Sequence, residues 1–236
     1  MTPSLDPLEA VFRNLDVWRH LPNYQLERRA DIFFSVYLKR IVEEVTGIEL
    51  EETLLPELPI KCDLIWPDRP SNKSVKADYA LFSKDRSRVF FVELKTDGGS
   101  RRERQDDYLE ISKRLGFRAI VSGIRDIIRK TSSHQKYHHL AVTLAKLGYL
   151  ALPADLASFI YPSPRVGLAS ALGRIEGTVL DSAIEVLYVQ PTATEGDRCI
   201  DFAQFAELVG RFDDPLSTRF AAHLLAWRAN AGAVQP

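Results

Sequence analysis

At 236 residues, the chain is long enough for a layered α/β domain to bury a sizeable core, and its 45% hydrophobic and 27% charged content excludes a disordered or fibrous protein. The 31 Lys and Arg against 32 Asp and Glu leave a net charge of -1, which excludes a global basic field, so a nucleic-acid partner would have to be held by a local patch. Cys62 and Cys199 are too few for a disulfide framework or a CxxC metal site. No apolar run reaches the roughly 18 to 20 residues of a membrane span, and the acidic, proline-interrupted start is unlike a signal peptide. A cytoplasmic protein that does not enter membranes is expected.

From Leu26 to Val45, apolar residues recur at three- and four-residue spacing between Glu, Arg and Lys, which predicts an amphipathic helix ended by Gly47. Two β-rich stretches then flank the turn-forming run Pro67 to Asn72 and predict a hairpin. After Lys84-Asp85-Arg86-Ser87, the run Val89 to Val92 is almost continuously apolar, the mark of a strand covered on both faces. Ser100 is placed to cap a helix that Gly116 ends, and more helix follows from Ile120 to Leu147. Residues Ala151 to Gly177 lack a clear period and are expected to be irregular. Ile184 to Val189 predicts another strand, stopped by Gln190-Pro191, before helices at Phe202 to Phe212 and Pro215 to Trp227. This order predicts a mixed sheet with helices on its faces, in a single domain over 1-236 with a core of about 25-190 and a C-terminal helical extension of about 200-230.

Asp78 sits in a segment that becomes apolar beyond it, and Glu93 and Lys95 stand two apart at the end of the apolar strand, so both project to one face while Leu94 points away. Ionisable groups beside an apolar interior must be paired, hydrated or bound to an ion. Mg²⁺ suits Asp78 and Glu93, because it takes oxygen ligands and commonly uses one or two protein carboxylates plus substrate phosphate. Lys95 would meet the phosphate or the attacking water as a compact point charge.

Asp78 followed by a turn and Glu93-Leu94-Lys95, with a helix ahead, resembles the PD-(D/E)XK nuclease superfamily. Pro56-Glu57-Leu58-Pro59 and the FVELKTD segment also resemble uncharacterised bacterial members of it. The resemblance implies a restriction-endonuclease-like α-β-β-β-α-β core and a Mg²⁺-dependent nuclease, with Mn²⁺ able to substitute, hydrolysing nucleic acid and DNA before RNA. Asp78 and Glu93 would be its metal ligands and Lys95 its catalytic lysine. The proline of the family name is absent, since Val75-Lys76-Ala77 precedes the aspartate. Gln105 and Tyr108 are similar to the Gln-and-Tyr motif of some members, spaced QxxY rather than QxxxY. Many members add an acid from the first helix, for which Glu27 is preferred here and Glu44 is the alternative.

A catalytically silent nucleic-acid-binding or protein-interaction module with the same fold is the alternative function, and a homodimer through the C-terminal helices is left open. The basic residues Arg101, Arg102, Arg104, Arg125, Arg129, Lys130 and Lys136 would either form a phosphate-binding patch or line ordinary solvated helix faces. His134 and His138 have helical i, i+4 spacing but lack the glutamate of a zinc motif. Trp18, Trp66 and Trp227 are expected in the core before any base-stacking role.

Overall fold

A computed structural model describes residues 7–18, 26–68, 73–96, 103–157, 167–196 and 198–231. Two helices lead, α1 (Pro7–Trp18) and α2 (Leu26–Thr46), followed by β1 (Leu50–Lys61), α3 (Cys62–Ile65), β2 (Ser74–Ser83) and β3 (Arg88–Leu94). Next come α4 (Glu103–Leu115), α5 (Phe117–Lys130), α6 (His134–Lys146), β4 (Leu150–Ala151), α7 (Ala154–Ala157), α8 (Leu168–Gly173) and β5 (Glu176–Gly177). The chain finishes with β6 (Ala183–Gln190), β7 (Cys199–Asp201), α9 (Phe202–Val209) and α10 (Pro215–Ala231). The class is α/β, with a five-stranded mixed sheet of order β1-β2-β3-β6-β7 flanked by helices.

Several local expectations meet a different outcome. The first β-rich stretch ends at Lys61, because α3 turns the chain before Trp66. Part of the segment expected to be irregular forms α8 and a small antiparallel pair in which Leu150 faces Gly177. The helical stretch after Gly116 is broken between α5 and α6 at Thr131 to Ser133. Ser100, the expected helix cap, lies outside the described residues.

Residues 1–54, 92–103 and 186–236 make one compact unit, and 55–91 with 104–185 make another. In the first, α2 buries Leu26, Ala30, Phe34, Tyr37, Leu38, Ile41 and Val42 along one stripe, the face its periodicity predicts. Gly47 then adopts φ +69° and donates its N–H to the Glu43 carbonyl at 2.8 Å, a left-handed termination that a side chain would strain. Phe34 is the hub of this core, with ring centroids 5.0 Å from Phe220, 5.1 Å from Phe205 and 5.7 Å from Phe202.

In the second unit, Phe117 opens α5 and packs 4.7 Å from Tyr149 and 5.6 Å from Phe82. Between β2 and β3, the Asp85 carboxylate accepts hydrogen bonds from Ser83 Oγ at 2.6 Å and the Ser87 N–H at 2.9 Å. Those donors favour the ionised form and hold its pKa down to about 2. The edge strand β1 carries Pro56 and Pro59 around Glu57, which takes φ +53° and pairs with Lys76. Prolines, a charge and a local kink discourage another chain from adding to that edge.

Candidate active site

β3 is buried from Val89 onward, which its unbroken apolar run predicts. At its end Glu93 is 0% exposed and Lys95 is 3% exposed. Lys95 Nζ lies 2.6 Å from Glu93 Oε1, donating a charge-assisted hydrogen bond. The period-two geometry of an extended chain makes this contact: it sets both side chains on one face and turns Leu94 to the other.

The same stretch is tied to β6. Ala183 donates its N–H to the Ser87 carbonyl at 2.9 Å and Lys95 donates its N–H to the Val189 carbonyl at 2.8 Å, so the two segments run in the same direction. In a parallel ladder a residue bonds the carbonyl just before its partner, as Tyr188 does to Arg198 O while standing level with Cys199. Lys95 is therefore level with Gln190, which is in turn level with Asp201 on β7. Register partners in a parallel sheet share a face, so Lys95, Gln190 and Asp201 form a polar row across the carboxyl ends of β3, β6 and β7. That end of an α/β sheet is where ligands commonly bind.

Each member of the row is anchored. Gln190 is buried and donates from Nε2 to Thr192 O at 2.9 Å and to Thr194 Oγ1 at 2.7 Å, which fixes its amide orientation. Asp201 caps α9 by accepting the Gln204 N–H at 2.8 Å. Sequence reasoning missed both residues. Gln190 reads as a strand stop, and β7 is only three residues long, too short for a periodic signal.

The other candidates lie as follows. Asp78 is half-buried on β2, in the compact unit that does not contain Glu93 and Lys95. Gln105 is half-buried in the first turn of α4, and one turn on Tyr108 is buried with its hydroxyl donating to Lys76 O at 2.8 Å. Glu27 is half-buried in the first turn of α2. Glu44, near the other end of α2, is exposed and ion-paired with Arg211, which also holds Glu207 at 3.0 Å. The structure thus brings Glu93 and Lys95 into direct contact and leaves Glu44 in a surface ion pair.

Arg101 and Arg102 lie outside the described residues, whereas Arg104, Arg129, Lys130 and Lys136 are exposed and Arg125 is half-buried. His138 is buried and its pKa is pushed down, first by burial. Among the described residues no three His, Cys, Asp or Glu side chains gather as a metal cluster, and no helix is long and apolar enough to cross a membrane. Trp227 is a core residue as expected, Trp18 is exposed and Trp66 is half-buried. Comparison with family models finds no match, and comparisons with curated proteins and with solved structures find none either.

Proposed function

We propose that the chain is a Mg²⁺-dependent nuclease hydrolysing phosphodiester bonds of DNA, on a restriction-endonuclease-like core formed by α2, β1, β2, β3, α4 and β6. The observation that carries this reading is the buried Glu93–Lys95 pair, 2.6 Å apart at the carboxyl end of a central strand. A carboxylate and an ammonium are expensive to bury for packing alone, so a buried pair beside further polar groups is a functional-site signal.

The donor chemistry fits a hard cation. Glu93 and Asp78 offer only oxygen, and Mg²⁺ needs no more than one or two protein carboxylates when waters and phosphate complete its shell. Bound there, it would supply charge stabilisation at the phosphate and a more acidic water. Glu93 holds Lys95 in place, and Lys95 presents a compact positive charge to a phosphate oxygen or to the attacking water. Gln190, level with Lys95 in the sheet, has its Nε2 committed to the turn after β6. The part given to Asp78 rests on the sequence pattern.

The test is cleavage of single- and double-stranded DNA by the purified protein with Mg²⁺ or Mn²⁺. Asp78→Asn and Lys95→Arg should each abolish cutting while leaving the unfolding midpoint near that of the parent. Lys95→Arg keeps the positive charge but replaces a compact ammonium with a planar fork. Cutting at the parental rate by either variant overturns the assignment.

A second reading, a silent binding module with this fold, has one observation in its favour: Lys95 already neutralises Glu93 directly. Metal-independent DNA binding without cleavage by the parent protein would select it.

A further inference from the structure

The half-buried indole of Trp66 lies under the guanidinium of Arg104, whose central carbon is 4.6 Å from the ring centroid. Tyr108 meets the same indole edge-on, with centroids 6.4 Å apart at 80°. Arg104 is exposed, and among the described residues no carboxylate pairs with it. A guanidinium seated over an aromatic ring keeps an outer face and an N–H edge for a ligand. The face suits another planar ring, and the edge suits a phosphate.

The location connects this stack to the candidate chemistry. The Tyr108 hydroxyl is bonded to the carbonyl of Lys76 at 2.8 Å. Lys76 and Asp78 are two residues apart on β2, so they share a face about 7 Å apart along the strand. Two aromatic rings and a guanidinium, tied to the strand that carries a carboxylate proposed to serve phosphodiester hydrolysis, match the way proteins hold unpaired nucleotides.

We infer that Trp66 and Arg104 form a stacking platform for one unpaired nucleotide, its base continuing the indole–guanidinium stack and its phosphate on the guanidinium edge. The substrate class is single-stranded nucleic acid or the frayed end of a duplex. This inference rests on the proposed nuclease reading only for what happens to the strand once it is bound. In a closed duplex both faces of each base are stacked, so the platform selects against it.

The experiment is a fluorescence titration of the full chain, in EDTA to suppress cleavage, with an oligothymidylate of about 15 nucleotides. The single strand should quench the Trp66 emission, and Trp66→Leu should remove that quench. Arg104→Ala, at an exposed position where folding is not at stake, should weaken binding roughly tenfold, in line with the loss of one stacked base. Arg104→Lys should weaken it nearly as much, because an ammonium has charge but no plane. Parental affinity in Arg104→Ala, equal binding of a blunt duplex, or no binding of the single strand overturns the platform. If the single strand binds in the expected pattern and no DNA is cut with Mg²⁺ or Mn²⁺, the platform stands and the nuclease reading falls.

Discussion

Lys95 Nζ and Glu93 Oε1 are 2.6 Å apart, with Glu93 fully enclosed and Lys95 nearly so. Neither charge has bulk water to fall back on, so each depends on the other in a way an exposed pair would not.

That dependence predicts a strong asymmetry between single and double substitutions. Lys95→Met should lower stability by about 3–5 kcal/mol, the cost of removing one partner of a buried ion pair. Glu93→Gln with Lys95→Met should cost far less than the sum of the two single changes. Urea unfolding of the four proteins measures the coupling, and additive effects would show that the pair is not an isolated buried unit.

Gly123 on α5 faces α3 and the end of β1. A Cβ there would lie 2.5 Å from Leu64 Cδ1 and 3.1 Å from Lys61 Cβ. Lys61 is itself buried and pinned by Asp63 at 2.9 Å and Asp126 at 3.1 Å, so it has little room to yield. Gly123→Ala should therefore destabilise the protein by up to about 2 kcal/mol, overpacking outweighing the roughly 1 kcal/mol gained in helix propensity. A raised melting temperature in the variant would contradict this.

His223 is buried, stacked 4.6 Å from Phe12, with Nδ1 3.1 Å from the Asp16 carboxylate that also accepts the Trp227 indole N–H at 2.9 Å. Burial pushes its pKa below the ordinary 6.5, against the opposing pull of Asp16 and with Arg219 adding to the depression. The unfolded chain therefore binds a proton that the folded chain resists. Stability is complete above pH 6.5 and falls as the pH drops from there toward the lowered folded value. His138 is shifted in the same direction. Urea midpoints measured from pH 7.5 downward should decline, with a shallower slope in His223→Gln; an unchanged slope would remove His223 from the acid response.

Gln190 is held by two hydrogen bonds to the turn that follows β6. Gln190→Ala should cost about 1–3 kcal/mol from the two hydrogen bonds lost. It should also reduce any cleavage by more than that loss of folded protein explains. Activity in proportion to the folded fraction would limit Gln190 to anchoring the turn.

Much of the architecture was legible because it depends on short-range periodicity. The 3.6-residue recurrence over Leu26 to Val45 predicts α2, and the apolar run ahead of Glu93 predicts a strand buried on both faces. What escaped was either short or long-range. β7 has three residues, β4 and β5 have two each, and α3 interrupts a stretch whose composition favours strand. Of the two acids weighed on α2, Glu44 proves to be paired with Arg211, a partner 167 residues away.

The sequence by itself determined the α/β class, the principal helices and strands, and the same-face placement of Glu93 and Lys95, because two-residue alternation is a local property of an extended chain. Only the tertiary structure decided that this pair is sealed from water, that Lys95 stands in register with Gln190 and Asp201, and that Arg104 lies on Trp66. Those relations join residues remote along the chain, and strand register and helix packing, which no local periodicity encodes, bring them together.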